Sequence, residues 1–169
     1  MNLKVYHIVP AKVAGNKLYP LNELANHHRE CFDKHVAKYK GRESLLERKI
    51  LPLNCLWNDV LHFTAIPPKA VRSALEVLGF PYPKTFYAVD PVAAGFTKDN
   101  SVIFTSPKDC RPFDLNALSM CQAYPSETLA YFQRMRDEGK RPLLYAHVPH
   151  ILFKGSLDVA APYVEVVKA

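Results

Sequence analysis

The stretch Trp-Asn-Asp-Val-Leu-His-Phe-Thr at residues 57–64 gives the first view of the architecture. A short β-strand is predicted over 60–64, where apolar and polar side chains alternate from Leu61 to Thr64 and give the strand two different faces. A similar run, Val-Tyr-His-Ile-Val at 5–9, lies near the amino terminus and ends before Pro10. Each run carries one histidine among apolar neighbours, so each predicted strand presents an imidazole that a ligand could use.

Helices are predicted between and after these strands. Apolar residues recur at helical spacing over 67–79, after two prolines and before a glycine. A second helix is predicted over 126–138, where a serine precedes the periodic segment and a glycine follows it. An earlier helix is expected over 22–39 and a short one over 42–49.

Further strands are predicted where short runs rich in β-formers are bounded by turn residues. These runs are 85–89, 101–105, 143–148, 151–153 and 163–167. Residues 107–125 have weak periodicity and are predicted to be mostly loop. Intermingled strands and helices predict an α+β fold with a mixed or antiparallel sheet, formed by a single domain over 1–169.

Length and charge narrow the class of protein. The chain of 169 residues has 49% apolar and 22% charged residues, which fits one globular domain with a core of its own. Its formal net charge of +6 favours an anionic partner, such as a nucleotide, a nucleic acid or another anionic acceptor. No long block of like charges is present, so a nucleic-acid-binding tail is not predicted.

The cysteines and helix histidines do not predict a metal site. Four cysteines are present, and no two have the Cys-x-x-Cys spacing of a zinc ribbon or a redox motif. His28 and His35 share a predicted helix face but lack the spacing of a metal-binding pair. The absence of an apolar signal core and of a run of ~20 apolar residues predicts a cytoplasmic protein without membrane contact.

Two interpretations of His7 are open. Strand alternation places His7 on the same face as Val5 and Val9 and opposite Tyr6 and Ile8. A buried imidazole among valines needs a hydrogen-bond partner, so His7 is either a core histidine bonded to a backbone carbonyl or a ligand-facing imidazole that bonds to a hydroxyl.

A second group of candidates surrounds His62. His62 and Thr64 share one face of the predicted strand, while Leu61 and Phe63 occupy the other. The polar face fits either solvent or a cleft. A wider cluster adds an aromatic ring, amides and a carboxylate: Asn54, Trp57, Asn58 and Asp59. Trp57 is also a natural core anchor and Asp59 a natural turn residue.

Common nucleotide and hydrolase motifs are absent from the sequence. There is no Gly-x-x-x-x-Gly-Lys loop, no Gly-x-Gly-x-x-Gly turn and no Gly-x-Ser-x-Gly elbow. Six glycines in the whole chain disfavour a glycine-rich phosphate loop. These absences argue against ordinary kinase, Rossmann and serine-hydrolase functions.

Several of these runs resemble the ADP-ribosyltransferase superfamily, and especially its DNA-targeting toxins. Tyr-His-Ile-Val at 6–9 is similar to the Tyr-His-Ile-Thr opening of those toxins. Val-Leu-His-Phe-Thr at 60–64, with the following prolines and helix, is similar to the superfamily's second strand and proline-rich turn. Residues 85–90 resemble a later core strand, and 141–150 resemble the late strand that usually carries a catalytic glutamate.

The resemblance implies a split-sheet fold that uses NAD as a substrate. It implies that His7 holds the nicotinamide ribose, with Phe63 and Thr64 beside the nicotinamide. The cofactor-binding residues expected on this basis are Tyr6, His7, Ile8, Trp57, Phe63 and Thr64. The candidate catalytic residues are His7, His62 and Asp59.

One position departs from the superfamily pattern, because Pro-Leu-Leu at 142–144 replaces the expected glutamate. That glutamate activates the acceptor and stabilises positive charge on the ribose, an effect worth several kcal/mol. One hypothesis is an NAD-dependent ADP-ribosyltransferase in which Asp59 or Glu127 replaces it, acting on nucleic acid or another acceptor. A second is a nucleotide- or ADP-ribose-binding module without chemistry. A third is an interaction protein without a small-molecule site.

Overall fold

The computed structural model describes residues 3–11, 13 and 15–169. Eleven strands are present in this part of the chain: β1 Val5–Ile8, β2 Lys17–Leu18, β3 Lys49–Ile50, β4 Cys55–Leu56, β5 Leu61–Phe63, β6 Thr85–Val89, β7 Ser101–Ser106, β8 Asp109–Pro112, β9 His150–Phe153, β10 Leu157–Asp158 and β11 Val164–Lys168. The α-helices there are α1 Leu21–His27, α2 Arg29–Val36, α3 Pro68–Glu76, α4 Leu115–Ser119 and α5 Ser126–Asp137. Short 3-10 helices cover Ala37–Tyr39, Glu43–Leu45, Leu51–Leu53 and Trp57–Asp59.

Two antiparallel sheets form the centre of the structure. One has three strands in the order β1-β6-β11, and the other has four in the order β5-β9-β7-β8. The strand pairs β10-β2 and β3-β4 form two small additional sheets. The prediction of an α+β fold built on antiparallel sheet is therefore confirmed.

Among the described residues, one backbone bridge joins the two main sheets, between β1 and the residue after β5. The amide of Tyr6 donates to the Thr64 carbonyl over 2.7 Å, and the amide of Thr64 donates to the Tyr6 carbonyl over 3.0 Å. An antiparallel register continued from this bridge would pair Ile8 with His62. No such pair forms, and the other edge of β1 pairs with β6 instead. The space between the two strands beyond the bridge is therefore open.

Strand alternation assigns the buried side chains to three clusters. Val5, Phe63 and Tyr87 belong to a central cluster that both sheets share. Alternate residues of the four-stranded sheet, Val102 and Phe104 among them, pack with Trp57 on its opposite face. The third cluster packs α3 and α5 against the three-stranded sheet through Val71, Leu75, Phe86 and Phe132.

The predicted helices α3 and α5 are present, and each ends close to the glycine expected to stop it. The helix expected over 22–39 is divided into α1 and α2 at His28, whose φ of −147° is not helical. The helix expected over 42–49 contains one 3-10 turn, Glu43–Leu45. Among the described residues, no helix has both the length and the apolar character needed to cross a membrane.

Two other local predictions need correction, the first only in part. Residues 107–125, expected to be mostly loop, also contain β8 and the short helix α4, whose first turn is capped by the Asp114 carboxylate. Residues 143–148, expected to be a strand, form turns instead, and β9 begins only at His150. The segment that resembles the glutamate-bearing strand is therefore mostly not a strand.

Candidate functional site

A cavity of about 400 Å³ lies at the opening between β1 and β5. Small-molecule sites commonly have volumes of about 300–1,000 Å³, so this cavity has the size of a ligand site. Six predicted site residues line it: Tyr6, His7, Ile8, His62, Phe63 and Thr64. The structure thus brings the two histidine-bearing strands to one cavity. The other two predicted residues, Trp57 and Asp59, are not among its lining residues.

Of the two interpretations of His7 that the sequence left open, the structure shows the bond to a backbone carbonyl and places the residue in the cavity wall. Its Nδ1 lies 2.7 Å from the Ile8 carbonyl oxygen. Because a carbonyl can only accept, Nδ1 carries the hydrogen and the neutral ring presents Nε2 as an acceptor. Burial lowers the pKa of His7 to about 4, and the nearby His35 and Lys38 act in the same direction. At neutral pH His7 is therefore an uncharged acceptor in the cavity wall.

His62 is also a neutral imidazole, but its donor and acceptor nitrogens are the reverse of those in His7. Its Nε2 lies 2.9 Å from the Trp57 carbonyl oxygen, so Nε2 donates and Nδ1 is the acceptor. Burial lowers the pKa of His62 to about 3, and the proximity of His150 and His7 acts in the same direction. His62 is therefore neutral at pH 7, as is His150, whose pKa burial lowers to about 4.

Trp57 supports His62 from behind the cavity wall. The two rings lie 4.6 Å apart between centroids, and the His150 ring meets the indole edge-on at 5.8 Å. The indole also packs edge-on against Phe104, and the Arg48 guanidinium lies 5.2 Å above it. Trp57 thus anchors the core and fixes the two imidazoles, and the structure gives it no direct place in the cavity.

Asp59 connects elements around the site. One carboxylate oxygen accepts from the Asn22 side-chain amide over 2.7 Å, and the other accepts from the Leu56 backbone amide over 2.7 Å. These contacts attach α1, which contributes Leu21 and Leu24 to the cavity wall, to the 3-10 helix Trp57–Asp59. The arrangement gives Asp59 a structural role.

Sequence reasoning did not identify several residues of the cavity wall. Tyr145 was placed on a predicted strand, but it lies in the turns before β9 and lines the cavity. Asn58 was part of the wider cluster without a role of its own. The α1–α2 region and its 3-10 extension supply His35, Lys38 and Tyr39. Asn58 could have been identified as a cavity residue because it is a polar residue within an apolar segment. A tyrosine in a turn, such as Tyr145, carries no comparable sequence feature.

The electrostatics of the cavity are neutral to basic. Its described lining includes Lys17, Lys38 and His35 and contains no aspartate or glutamate. Lys38 Nζ lies 3.4 Å from His35 Nδ1, and burial together with Lys38 lowers the pKa of His35. Glu127, the other candidate carboxylate, lies 3.4 Å from His147 and does not line the cavity. This balance suits an anionic or neutral ligand.

Comparison of the chain with protein-family models, curated proteins and solved structures finds no match. The resemblance to ADP-ribosyltransferases therefore stays a prediction that rests on the short runs described above. Within the described residues, no group of three or more histidine, cysteine, aspartate or glutamate side chains is placed to hold a metal ion. The shape and chemistry of the cavity wall are therefore the features that bear on function.

Proposed function

We propose that this chain binds NAD, or the ADP-ribose part of NAD, in the cavity between β1 and β5. The observation that carries the proposal is the make-up of the wall, which combines neutral imidazole acceptors, aromatic rings and lysines with no acidic side chain among its described residues. A dinucleotide has the complementary groups, since its ribose hydroxyls donate, its rings stack and its phosphates are anionic.

In this proposal, the two imidazoles accept hydrogen bonds from the ribose hydroxyls of NAD. His7 Nε2 and His62 Nδ1 are acceptors, because the opposite nitrogen of each ring bonds to a backbone carbonyl. A ribose hydroxyl can donate to such a nitrogen without introducing charge. The role that the resemblance implies for His7, a contact to the nicotinamide ribose, is consistent with this tautomer.

In this proposal, aromatic rings of the cavity wall contact the nicotinamide or adenine ring, and lysines contact the phosphates. Tyr6 and Tyr39 are partly exposed residues of the cavity wall and offer ring faces or edges to a nicotinamide or adenine ring. Lys17 and Lys38 are exposed residues of the same wall, and their ammonium groups can meet phosphate oxygens at its solvent side. The net charge of +6 favours the approach of the anion as a whole.

Ligand binding is supported better than ADP-ribosyl transfer. Transfer in the superfamily that the chain resembles uses a carboxylate beside the ribose, and neither Asp59 nor Glu127 lines the cavity. Both have other partners, Asp59 with Asn22 and Leu56 and Glu127 with His147. Transfer to nucleic acid or another acceptor is therefore an outcome that the experiment examines and not the primary proposal.

The experiment is a titration of the purified protein with NAD, ADP-ribose and AMP, followed by calorimetry and thermal unfolding. We expect NAD or ADP-ribose to stabilise the fold by about 2.7 kcal/mol at a concentration one hundred times its Kd. Lys38→Glu is expected to weaken binding about tenfold, or about 1.4 kcal/mol. Lys98→Glu, the same charge change on an exposed loop residue outside the cavity wall, is the matched control.

Two results decide the proposal. The absence of stabilisation by any of the three nucleotides at millimolar concentration would overturn it. Release of nicotinamide in the presence of NAD and a mixed acceptor extract, measured by mass spectrometry, would extend it to ADP-ribosyl transfer. Binding without release would identify a non-catalytic module.

A further inference from the structure

The 29–47 segment lies between two fixed points of the fold. It contains α2 and two of the 3-10 helices. On its amino-terminal side, α1 is held by the hydrogen bond of Asn22 to the Asp59 carboxylate. On its carboxy-terminal side, the Arg48 carbonyl accepts from the Trp57 amide over 2.7 Å, and β3 pairs with β4. Both ends of the segment are therefore fastened to the body of the protein.

Between these two points, few contacts join the 29–47 segment to the rest of the fold. Among the described residues, each of its backbone–backbone hydrogen bonds and its ion pair has both partners within 28–48. No residue of the segment is buried. Its side chains that pack against a core cluster are Tyr39 and Leu45, and that cluster contains Trp57. A region with few buried apolar contacts and exposed hydrogen bonds opens at a lower free energy than the core.

The same segment forms part of the cavity wall. It contributes Cys31, His35, Lys38 and Tyr39 to the lining. Burial lowers the pKa of His7 to about 4, and His35 and Lys38 lower it further, which places these two residues near β1. The cavity is thus bounded by well-packed strands and by one weakly attached wall.

We propose that the 29–47 segment is a lid, which opens between His28 and Arg48 while the two main sheets stay folded and which closes over a ligand in the cavity. His28 is a suitable hinge, because its φ of −147° interrupts the helical backbone between α1 and α2. Closure brings Lys38 and Tyr39 to the ligand and excludes water from it, as lids of small-molecule sites do. The identity of the ligand rests on the proposed binding of NAD or ADP-ribose, whereas the opening of the unliganded protein does not.

Hydrogen–deuterium exchange of the unliganded protein tests the opening. We expect the amides of α2 to exchange at least about tenfold faster than the paired amides of β7 and β9, at a common opening free energy and with little dependence on low urea concentrations. Such a pattern reports a segment that opens as a unit without global unfolding. If the α2 amides share the rate and the urea dependence of β9, they open only when the whole protein unfolds, and the inference is overturned.

Addition of ADP-ribose tests the closure. If the ligand binds only the closed form, exchange over 29–47 should slow about a hundredfold at a concentration one hundred times the Kd. Unchanged exchange of the segment, with binding measured by calorimetry, would overturn the closure and leave the proposed function intact. Opening as a unit in a protein that binds neither NAD nor ADP-ribose would support the lid and overturn the proposed function.

Cys31 gives a second measure of closure, because it belongs to both the 29–47 segment and the cavity wall. Alkylation of the unmodified protein by iodoacetamide, mapped by mass spectrometry, should slow at Cys31 at least about tenfold when ADP-ribose binds. Cys121 is also partly buried and is not a lining residue, so it is the internal control and should react at an unchanged rate. Equal alkylation of Cys31 with and without bound ADP-ribose would overturn the closure.

The attachment of the lid is tested at Leu45, which packs against the Trp57 cluster and is not a lining residue. Leu45→Ala should speed both exchange over 29–47 and dissociation of ADP-ribose by about tenfold, because the closed state loses an apolar contact. Leu129→Ala, at a position in α5 that is 46% exposed, is the matched control and should change neither rate. If Leu45→Ala speeds exchange in β9 as much as over 29–47, the contact stabilises the whole fold and the inference is overturned. Exchange of the unmodified protein decides the inference if this variant does not fold.

Discussion

The hydroxyl of Thr128 in α5 donates a 2.7 Å hydrogen bond to the carbonyl oxygen of Ala146, the residue after Tyr145. Thr128 is fully buried, and this bond ties the turns of residues 143–148 to a helix. The position of the Tyr145 ring in the cavity wall therefore depends on a contact made outside the cavity.

Replacement of Thr128 by valine keeps the shape of the side chain and removes this bond. We expect Thr128→Val to lower the free energy of unfolding by about 1–2 kcal/mol, because a carbonyl loses its partner. Nucleotide binding should weaken as well, since Tyr145 loses its support. Urea unfolding and calorimetry measure both effects. Thr105→Val, at an exposed position in β7, is the control and should change neither. If Thr128→Val has the same free energy of unfolding as the wild type, the prediction is contradicted.

Stability is expected to fall in weak acid because the partly buried histidines His7 and His62 remain neutral in the folded state. His7 and His62 have pKa values lowered from 6.5 to about 4 and about 3, so below pH 6.5 the unfolded chain binds protons that the folded chain does not. The free energy of unfolding therefore decreases as the pH falls from about 6.5 to about 4. Each such histidine contributes a slope of up to about 1.4 kcal/mol per pH unit.

Urea unfolding between pH 7.5 and 4.5 checks this prediction with two variants. His62→Gln keeps a donor for the Trp57 carbonyl and does not titrate, so it should reduce the slope. His28→Gln, at an exposed position between α1 and α2, should leave the slope as in the wild type. A stability that is independent of pH in this window would show that the imidazoles do not stay neutral.

Asp59 is expected to act through structure. Asp59→Ala removes the carboxylate that accepts hydrogen bonds from the Asn22 side chain and the Leu56 amide. The free energy of unfolding should therefore fall by about 1–3 kcal/mol. Asp99→Ala, on an exposed loop, is the control and should cost less than about 0.5 kcal/mol. If Asp59 instead served as the catalytic carboxylate, Asp59→Asn would abolish nicotinamide release from NAD with little change in stability.

Trp57 is expected to be the most costly single truncation near the site. Its ring is 8% exposed and packs with His62, His150 and Phe104, so Trp57→Ala should cost about 3–5 kcal/mol. Trp57→Phe should cost less, because it keeps part of the aromatic volume. Leu51→Ala provides the comparison, since Leu51 is 80% exposed and should change stability by less than about 0.5 kcal/mol. Chemical denaturation followed by circular dichroism gives all three values.

Strand and helix periodicity was sufficient to predict the elements that carry His7 and His62. The strands over 60–64 and 85–89 and the helix after Pro67 correspond to β5, β6 and α3, because each has a strong apolar pattern and clear boundaries. The sequence also placed His7 opposite Tyr6 on β1. Local patterns of this kind are set by side-chain period and transfer well from sequence to structure.

Long-range relationships were not predictable in this way. The presence of Tyr145 in the same cavity wall as His62 depends on the turns before β9 and on the Thr128 contact, which join residues distant in sequence. The run 143–148 has β-forming side chains, yet tertiary contacts hold it in turns, one of them with His147 at a φ of +61°. Propensity is a weak guide where packing overrides it.

The Tyr6–Thr64 bridge also provides a local reporter of how β1 and β5 are held together. Among the described residues, its two amides are the backbone groups that hydrogen-bond between the two main sheets, while the shared cluster of Val5, Phe63 and Tyr87 packs the sheets against each other. A molecule bound between β1 and β5 would contact both strands beside this bridge. Deuterium exchange at the Tyr6 and Thr64 amides should then slow on ligand addition, and unchanged exchange would show that ligand binding does not restrain the bridge.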